Sequence, residues 1–109
     1  MSTANIGALR RRVTLEMPSR TADGGGGAVV TWATVSDVWA ELRSLSGTEQ
    51  FIAEGLQGKV SHLITIRRRT DMVPAMRVRY GQRVFVIEAV LDRDGYEPFL
   101  RLLAEERNL

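Results

Sequence analysis

The chain has 109 residues, of which 44% are hydrophobic and 26% are charged, and it contains no cysteine. These proportions are those of one folded soluble domain rather than of a disordered chain, and the lack of cysteine excludes disulfides, thiolate metal sites and a cysteine nucleophile. The formal net charge of +2 is too small to indicate nucleic-acid binding by itself. No apolar run approaches the ~18 residues of a membrane span, and the first residues lack the order of a signal peptide, so we expect cytoplasmic synthesis and no membrane association.

The first part of the chain is predicted to hold two strands separated by a flexible loop, after a tail at residues 1–6. Residues 12–17 alternate, with Val13, Leu15 and Met17 on one face, which is typical of a half-buried strand. Residues 18–27 contain proline, serine, threonine, aspartate and four consecutive glycines, so we expect a mobile loop. Residues 28–44 are rich in valine, threonine and tryptophan, and Ser36 with Asp37 predicts a bend or bulge within that strand.

Residues 44–61 are predicted to form an insertion that contains one short helix. Ser46 and Glu49 have the spacing of a capping box, in which each side chain bonds to a backbone amide at the helix start. Phe51, Ile52 and Leu56 fall on one side of this helix. Glycines at 55 and 58 weaken it, so we expect that it needs packing or a partner to persist.

The rest of the chain is predicted to be an antiparallel meander. Strands are expected at residues 61–69, 76–80, 83–91 and 99–105, with a tight turn at Gly81 and Gln82 and another turn at residues 92–95. Short strands with turn signals between them favour a sandwich or a small barrel. We therefore expect a mainly β protein of one domain over residues 1–109, a small antiparallel β-barrel of five to six strands with one short helix and long flexible loops.

The strand at residues 83–91 is predicted to be apolar on both faces. Val84, Val86 and Val90 alternate with Phe85, Ile87, Ala89 and Leu91. A small barrel has one interior, so the second face needs a cover, which is either the short helix or a neighbouring subunit. We favour the neighbour, which makes Val84, Val86 and Val90 candidates for subunit packing.

No residue pattern indicates catalysis, a cofactor or a metal ion. His62 is the single histidine, and we expect it in the core or at its rim. Asp92, Asp94 and Gly95 lack the remaining ligands of a calcium loop. The glycine run at residues 24–27 is followed neither by the lysine of a phosphate-binding loop nor by a helix. We expect a protein that is not an enzyme.

The arginines are the only concentrated charge, because all but one of the 15 basic residues are arginine. The candidates for a charged interface are Arg10, Arg12, Arg67, Arg69, Arg77 and Arg79. Three interpretations stay open: a solvated surface paired with Glu16, Glu41 and Glu88, a contact with an acidic neighbouring protein, or a nucleic-acid surface. An oligonucleotide-binding barrel is disfavoured because aromatic residues do not interleave these arginines.

An ordered set of short motifs runs through nearly the whole chain from Gly7. It comprises Leu9-Arg10-x-Arg12-Val13-Thr14-Leu15, Gly26-Gly27, Thr31-Trp32, Val38-Trp39-Ala40, Leu45-Ser46-Gly47-x-Glu49, His62-x-Ile64-Thr65-Ile66-Arg67, Asp71-Met72-x-Pro74, Arg77-Val78, Arg83-x-Phe85-x-Ile87, Asp92-x-Asp94-Gly95 and Leu102-Leu103-Ala104-Glu105-Glu106. In order and spacing this set resembles the phage head–tail joining family, the head-closure or stopper proteins of the head–tail connector. Two departures are a longer glycine run and Arg68 in place of a common aromatic residue.

The resemblance implies a virion structural protein made in the host bacterial cytoplasm and placed at the neck. It implies a homo-oligomeric ring of six copies that closes the DNA-filled capsid and connects the portal or adaptor to the tail terminator. Packaged double-stranded DNA would lie in or near the channel without sequence recognition. For neighbour or channel contacts we nominate residues 18–27 and 44–61, specifically Gly24, Gly25, Gly26, Gly27, Glu49, Phe51, Ile52 and Leu56. Another connector or tail-completion subunit, such as the adaptor or tail terminator, is the alternative.

Overall fold

The fold is a closed barrel of six antiparallel strands. A computed structural model describes residues 9–50, 59–92, 95 and 97–107. The strands are β1 (Arg11–Ala22), β2 (Ala28–Ser44), β3 (His62–Arg67), β4 (Arg77–Tyr80), β5 (Arg83–Leu91) and β6 (Phe99–Arg107). They lie in the order β1-β2-β3-β6-β5-β4, and pairing of β1 with β4 closes the ring. The predicted mainly β barrel is confirmed.

The barrel interior is filled by one face of each strand. Phe85 lies fully buried near its centre, and alternate residues of the other strands pack around it because successive side chains of a strand point to opposite faces. The other buried members of this core are Val13, Leu15, Ala40, Ile64, Ile66, Met72, Met76, Val78, Ile87, Leu100, Leu102 and Ala104. These residues come from all six strands and from the turn before β4.

A long two-stranded arm, which we call the hairpin arm (residues 18–32), extends from the barrel. Pairing of β1 with β4 ends at Glu16, and pairing of β2 with β3 begins at Ala40. Beyond these points β1 and β2 pair only with each other, from Pro18 opposite Trp32 to Ala22 opposite Ala28. The molecule is therefore elongated, with extents of 51 × 29 × 29 Å.

The arm corrects the loop predicted at residues 18–27, since residues 18–22 are strand and only residues 23–27 form the turn. Residues 18–22 show no apolar alternation because both faces of the arm are solvated. Their pairing depends on backbone hydrogen bonds to residues 28–32, where valine and threonine favour an extended chain. A pattern of hydrophobic burial cannot reveal such a strand.

Two β-bulges redirect the strands. Leu15 of β1 faces Ser36 of β2, and Glu16 faces Thr34, so Val35 is an extra residue in β2. The irregularity predicted at Ser36 and Asp37 is thus confirmed within two positions. In β5, Ile87 faces Ala104 while Ala89 faces Leu103, so Glu88 is the extra residue.

The second bulge corrects the prediction that Val90 shares a face with Val84 and Val86. One extra residue reverses the alternation that follows it. Val90 therefore lies opposite Leu102 and packs against the barrel core. Val90 is therefore half-buried on the core side of β5 and does not share the outer face with Val84 and Val86.

Leu45, which follows β2, and Val60, which precedes β3, form a small second cluster on the barrel. Leu45 and Val60 are buried together, and Leu63 of β3 and Leu103 of β6 pack against them.

In the described part of the chain no helix is long and apolar enough to cross a membrane.

The turn before β4 holds a strained residue. Met76 donates its backbone N–H to the Val73 carbonyl at 3.4 Å, which defines a turn with Pro74 and Ala75 at its centre. Ala75 has a φ of 80°, in the left-handed region that the third position of a type II turn requires and that glycine adopts without a Cβ clash.

The substitution Ala75→Gly should therefore stabilise the protein by about 1 kcal/mol. Relief of the strain at positive φ lowers the free energy of the folded state by more than the added conformational entropy of glycine lowers that of the unfolded state. Urea unfolding of the purified chain measures this. The matched control, Ala89→Gly in β5, should lower stability, since Ala89 is not left-handed and is buried. A loss of stability in Ala75→Gly would contradict the strained turn.

Candidate assembly surfaces

A buried ion pair joins the barrel to the base of the hairpin arm. Arg77 Nε of β4 donates to Glu16 Oε1 of β1 at 2.5 Å, and both side chains are less than 10% exposed. The Arg77 guanidinium carbon lies 4.1 Å from the centre of the Trp32 ring. This pair is on the outer face, since the adjoining Leu15 and Val78 point into the core. Trp32 thus fixes the arm over the ion pair by cation–π contact.

The tip of the hairpin arm is organised by Asp23. Its Oδ1 accepts the backbone N–H groups of Gly25 at 2.8 Å and of Gly27 at 3.1 Å, and Asp23 N–H bonds to the Gly27 carbonyl. Gly24 and Gly26 have φ near +85°, which explains two of the four glycines. The whole tip, with the contact candidates Gly24, Gly25, Gly26 and Gly27, is exposed.

The arm presents apolar side chains and unpaired strand edges to solvent. Val29 and Val30 point to opposite faces and are 52% and 44% exposed. Because each arm strand has one neighbour, its outer backbone N–H and C=O groups form no ladder there. Such an edge is a template for pairing with another chain.

The capping box at the start of the helix is confirmed. Ser46 N–H donates to Glu49 Oε1 at 2.9 Å, and Glu49 N–H donates to Ser46 Oγ at 3.2 Å. Arg43 also binds both carboxylate oxygens of Glu49, which lowers the pKa of Glu49 to about 2. The other helix candidates, Phe51, Ile52 and Leu56, lie outside the described residues.

The two remaining candidates on β5 differ in exposure. Val84 is only 4% exposed within the single chain, so it offers little surface to a subunit. Val86 is half-buried and stands beside Arg77 on one strand and Glu105 on the other. Of the predicted apolar packing face, the fold leaves mainly Val86 accessible.

The predicted arginine band is divided among separate environments. Arg77 is buried with Glu16, and Arg79 lies 3.9 Å from the same carboxylate. Arg69 binds Asp71 through two hydrogen bonds and lowers the pKa of Asp71. Arg10, Arg12 and Arg67 are exposed.

His62 lies where the sequence predicts it, at the rim of the core. It is 8% exposed and contacts the Phe85 ring edge-on, with centroids 4.9 Å apart. Its Nδ1 is 2.9 Å from Ser61 Oγ, and its Nε2 is 3.5 Å from the Arg83 guanidinium. Burial lowers the pKa of His62, and the positive charge of Arg83 lowers it further, whereas Glu106 opposes the shift.

The Ser61 side chain of this cluster connects two strands. Ser61 Oγ accepts the backbone N–H of Glu106 at 2.8 Å and also lies 3.5 Å from the Ala104 carbonyl, so its hydroxyl ties β3 to β6. In the described ranges no three histidine, aspartate or glutamate side chains converge to hold a metal ion.

Sequence reasoning missed the Glu16–Arg77–Trp32 contact and the role of Asp23. The contact joins three strands, and no local spacing encodes it. Asp23 was detectable, because aspartate two residues before glycine favours a side-chain turn with the backbone.

Comparison with known proteins identifies relatives over almost the whole chain. A family model described as phage head completion protein matches residues 4–107. The solution structure of protein SF1141 from Shigella flexneri 2a has a TM-score of 0.73 and 28% identity, covering 94% of this chain and 96% of that one. A chain in the virion of a native gene transfer agent particle has a TM-score of 0.66 and 33% identity, covering 93% and 97%. No curated protein matches.

Replacing Glu16→Gln should destabilise the protein by about 3–5 kcal/mol, because it leaves the Arg77 guanidinium buried without a counter-charge. Urea unfolding measures the change, and combining it with Arg77→Met should recover most of the loss. The control Glu105→Gln removes the exposed pair with Arg107 and should cost under about 1 kcal/mol. Equal effects of the two Glu→Gln variants would contradict the buried role of Glu16.

Stability should fall as the pH drops below about 6.5, the ordinary pKa of histidine. The folded-state pKa of His62 is lower than the unfolded-state value, so in this window the unfolded chain binds more protons. Urea unfolding at pH about 7.5 and about 5.5 measures the slope. Because His62 is the single histidine, His62→Gln should remove it. A slope that persists in His62→Gln would assign it to other groups.

Proposed function

The chain belongs to the phage head completion protein family, and from that premise we propose that it forms a ring of six copies at the head–tail junction. The ring closes the DNA-filled capsid and connects the portal or adaptor to the tail terminator. A structural role in a virion is supported by the family and by the relative in the gene transfer agent particle. The protein acts by binding its neighbours and carries out no reaction.

The hairpin arm is the observation that carries this proposal. An isolated two-stranded ribbon in water is marginally stable, yet this arm carries exposed Val29 and Val30 and open strand edges. Its base is held against the barrel by Trp32 over Arg77. A rigidly anchored ribbon with an unused surface is suited to docking on another subunit.

A ring follows from using this arm between identical copies. The arm and the surface that receives it are different parts of the chain, so the contact is head-to-tail, and such a contact closes into a ring when its rotation permits. Pairing along a strand edge supplies backbone hydrogen bonds, and Val29 and Val30 add apolar burial. The free chain is expected to be monomeric, because the ring forms on the filled head as a template.

Packaged DNA in the channel needs no specific binding by this protein. Arg77 and Arg69 are paired with Glu16 and Asp71, so these two side chains have little charge to offer to phosphates. We therefore expect that DNA lies beside the ring without sequence recognition.

The proposal is tested in the phage or phage-like particle that encodes the chain. Deleting residues 24–27, or combining Val29→Asp with Val30→Asp, should give DNA-filled heads that do not join tails, counted by negative-stain electron microscopy. Both changes lie outside the barrel core, so the unfolding midpoint of each purified variant should be close to that of the parent.

The control is Gln82→Asp, which places an acidic side chain at the exposed turn between β4 and β5, outside the arm. It should yield joined particles in normal numbers. Normal particle yield from both arm variants would refute the assignment of the arm to assembly.

A further inference from the structure

A groove away from the hairpin arm is lined by both apolar and basic side chains. It has a volume of about 700 Å³ and is lined by Leu9, Val38, Trp39, Arg67, Arg68 and Arg69. Leu9 precedes β1, Val38 and Trp39 belong to β2, and the arginines lie at the end of β3. Its size is in the range of sites that accept a small ligand or a few residues of a peptide.

Trp39 is the most distinctive residue of the groove. It is 52% exposed, whereas Leu9 beside it is buried. The Arg12 guanidinium carbon lies 5.8 Å from the centre of a Trp39 ring, which is within cation–π range. Tryptophan and arginine are the residues that most often dominate binding energies at protein interfaces.

The three arginines of the groove have different partners. Arg68 binds both carboxylate oxygens of Asp92 and the Glu97 carbonyl, and Arg69 binds Asp71, so these two side chains are fixed in position. Arg67 is exposed, and its side chain forms no hydrogen bond or ion pair with any residue that the structure describes. No carboxylate is among the described residues that line the groove. Among the described residues of the groove, Leu9, Val38 and Trp39 therefore supply apolar surface, and the Arg67 side chain supplies an unpaired positive charge.

We propose that this groove binds an extended acidic segment of a partner protein. An apolar side chain of the segment packs on Trp39 and Leu9, and a flanking aspartate or glutamate pairs with Arg67. Charge complementarity favours this occupant. A nucleic acid is disfavoured because Asp92 and Asp71 already neutralise Arg68 and Arg69, and because one aromatic ring gives little stacking. The inference does not depend on the ring proposed above.

The probe is a short capped peptide with one central leucine flanked by alternating aspartate and glutamate. Titrated into the ¹⁵N-labelled full chain, it should shift the indole N–H signal of Trp39 saturably in two-dimensional NMR spectra. The indole of Trp32, stacked on Arg77 beneath the arm, is an internal control that should not move. A peptide with lysines in place of the acidic residues, and one with alanine in place of leucine, should bind at least about tenfold more weakly.

Arg67→Glu should weaken binding of the acidic peptide by at least about tenfold, because it reverses the charge that has no partner among the described residues of the groove. Arg20→Glu, with the same charge change on the hairpin arm, should bind like the parent chain. Unchanged circular dichroism shows that each variant folds.

Three results would overturn the inference: no Trp39 shift with the acidic peptide, equal binding of the lysine peptide, or tighter binding of a single-stranded oligonucleotide at Trp39. Failure here, with head–tail joining still lost in the arm variants, would leave the proposed function standing. Binding of the acidic peptide at Trp39, together with normal head–tail joining in the arm variants, would leave the groove as a peptide site independent of ring assembly.

Discussion

Closure of the barrel depends on a short seam between β1 and β4, and the Glu16–Arg77 ion pair lies at one end of that seam. The seam consists of Thr14 opposite Arg79, Leu15 opposite Val78 and Glu16 opposite Arg77. Its inner face is apolar, and its outer face is closed by the buried pair beneath Trp32. Burial removes water from both charges, so each requires the other. The barrel and the orientation of the hairpin arm therefore depend on the same contact.

The position of this contact has consequences for assembly. Side chains on a two-stranded arm have little to pack against, so its direction must be set at its base. Trp32 sets it by covering Arg77, and Asp23 orders the tip through the amides of Gly25 and Gly27. The middle of the arm, with Val29 and Val30, is left free for a partner. An arm organised at both ends loses less conformational entropy on binding than a free loop would.

The sequence predicts the barrel well because its strands obey a local rule. Alternation locates β3 to β6, glycine locates the turn at Gly81, and Ser46 with Glu49 locates the helix start. The arm fails this rule, since a solvated ribbon needs no apolar alternation. The face of Val90 is predicted wrongly because the bulge at Glu88 reverses the alternation of the strand. Both faces of β5 are apolar, so the sequence pattern does not show this reversal.

Contacts between distant strands could not be predicted. The Glu16–Arg77 pair spans 61 positions, and the groove brings the residue before β1 beside the end of β3. The arginine runs are visible in the sequence, but the fold determines which arginines pair with carboxylates. Arg77 is used inside the protein, whereas Arg67 stays available at the surface beside Trp39.

The proposed contact of the anchored hairpin arm with neighbouring copies at the head–tail junction is tested most directly by cryo-electron microscopy of the particle neck. The chain is elongated, with extents of 51 × 29 × 29 Å, so its orientation in the neck can be recognised. We expect a ring in which each arm, from its base at Trp32 to its glycine tip, contacts the adjacent barrel. Arms that project into solvent, or a neck without this barrel, would contradict it.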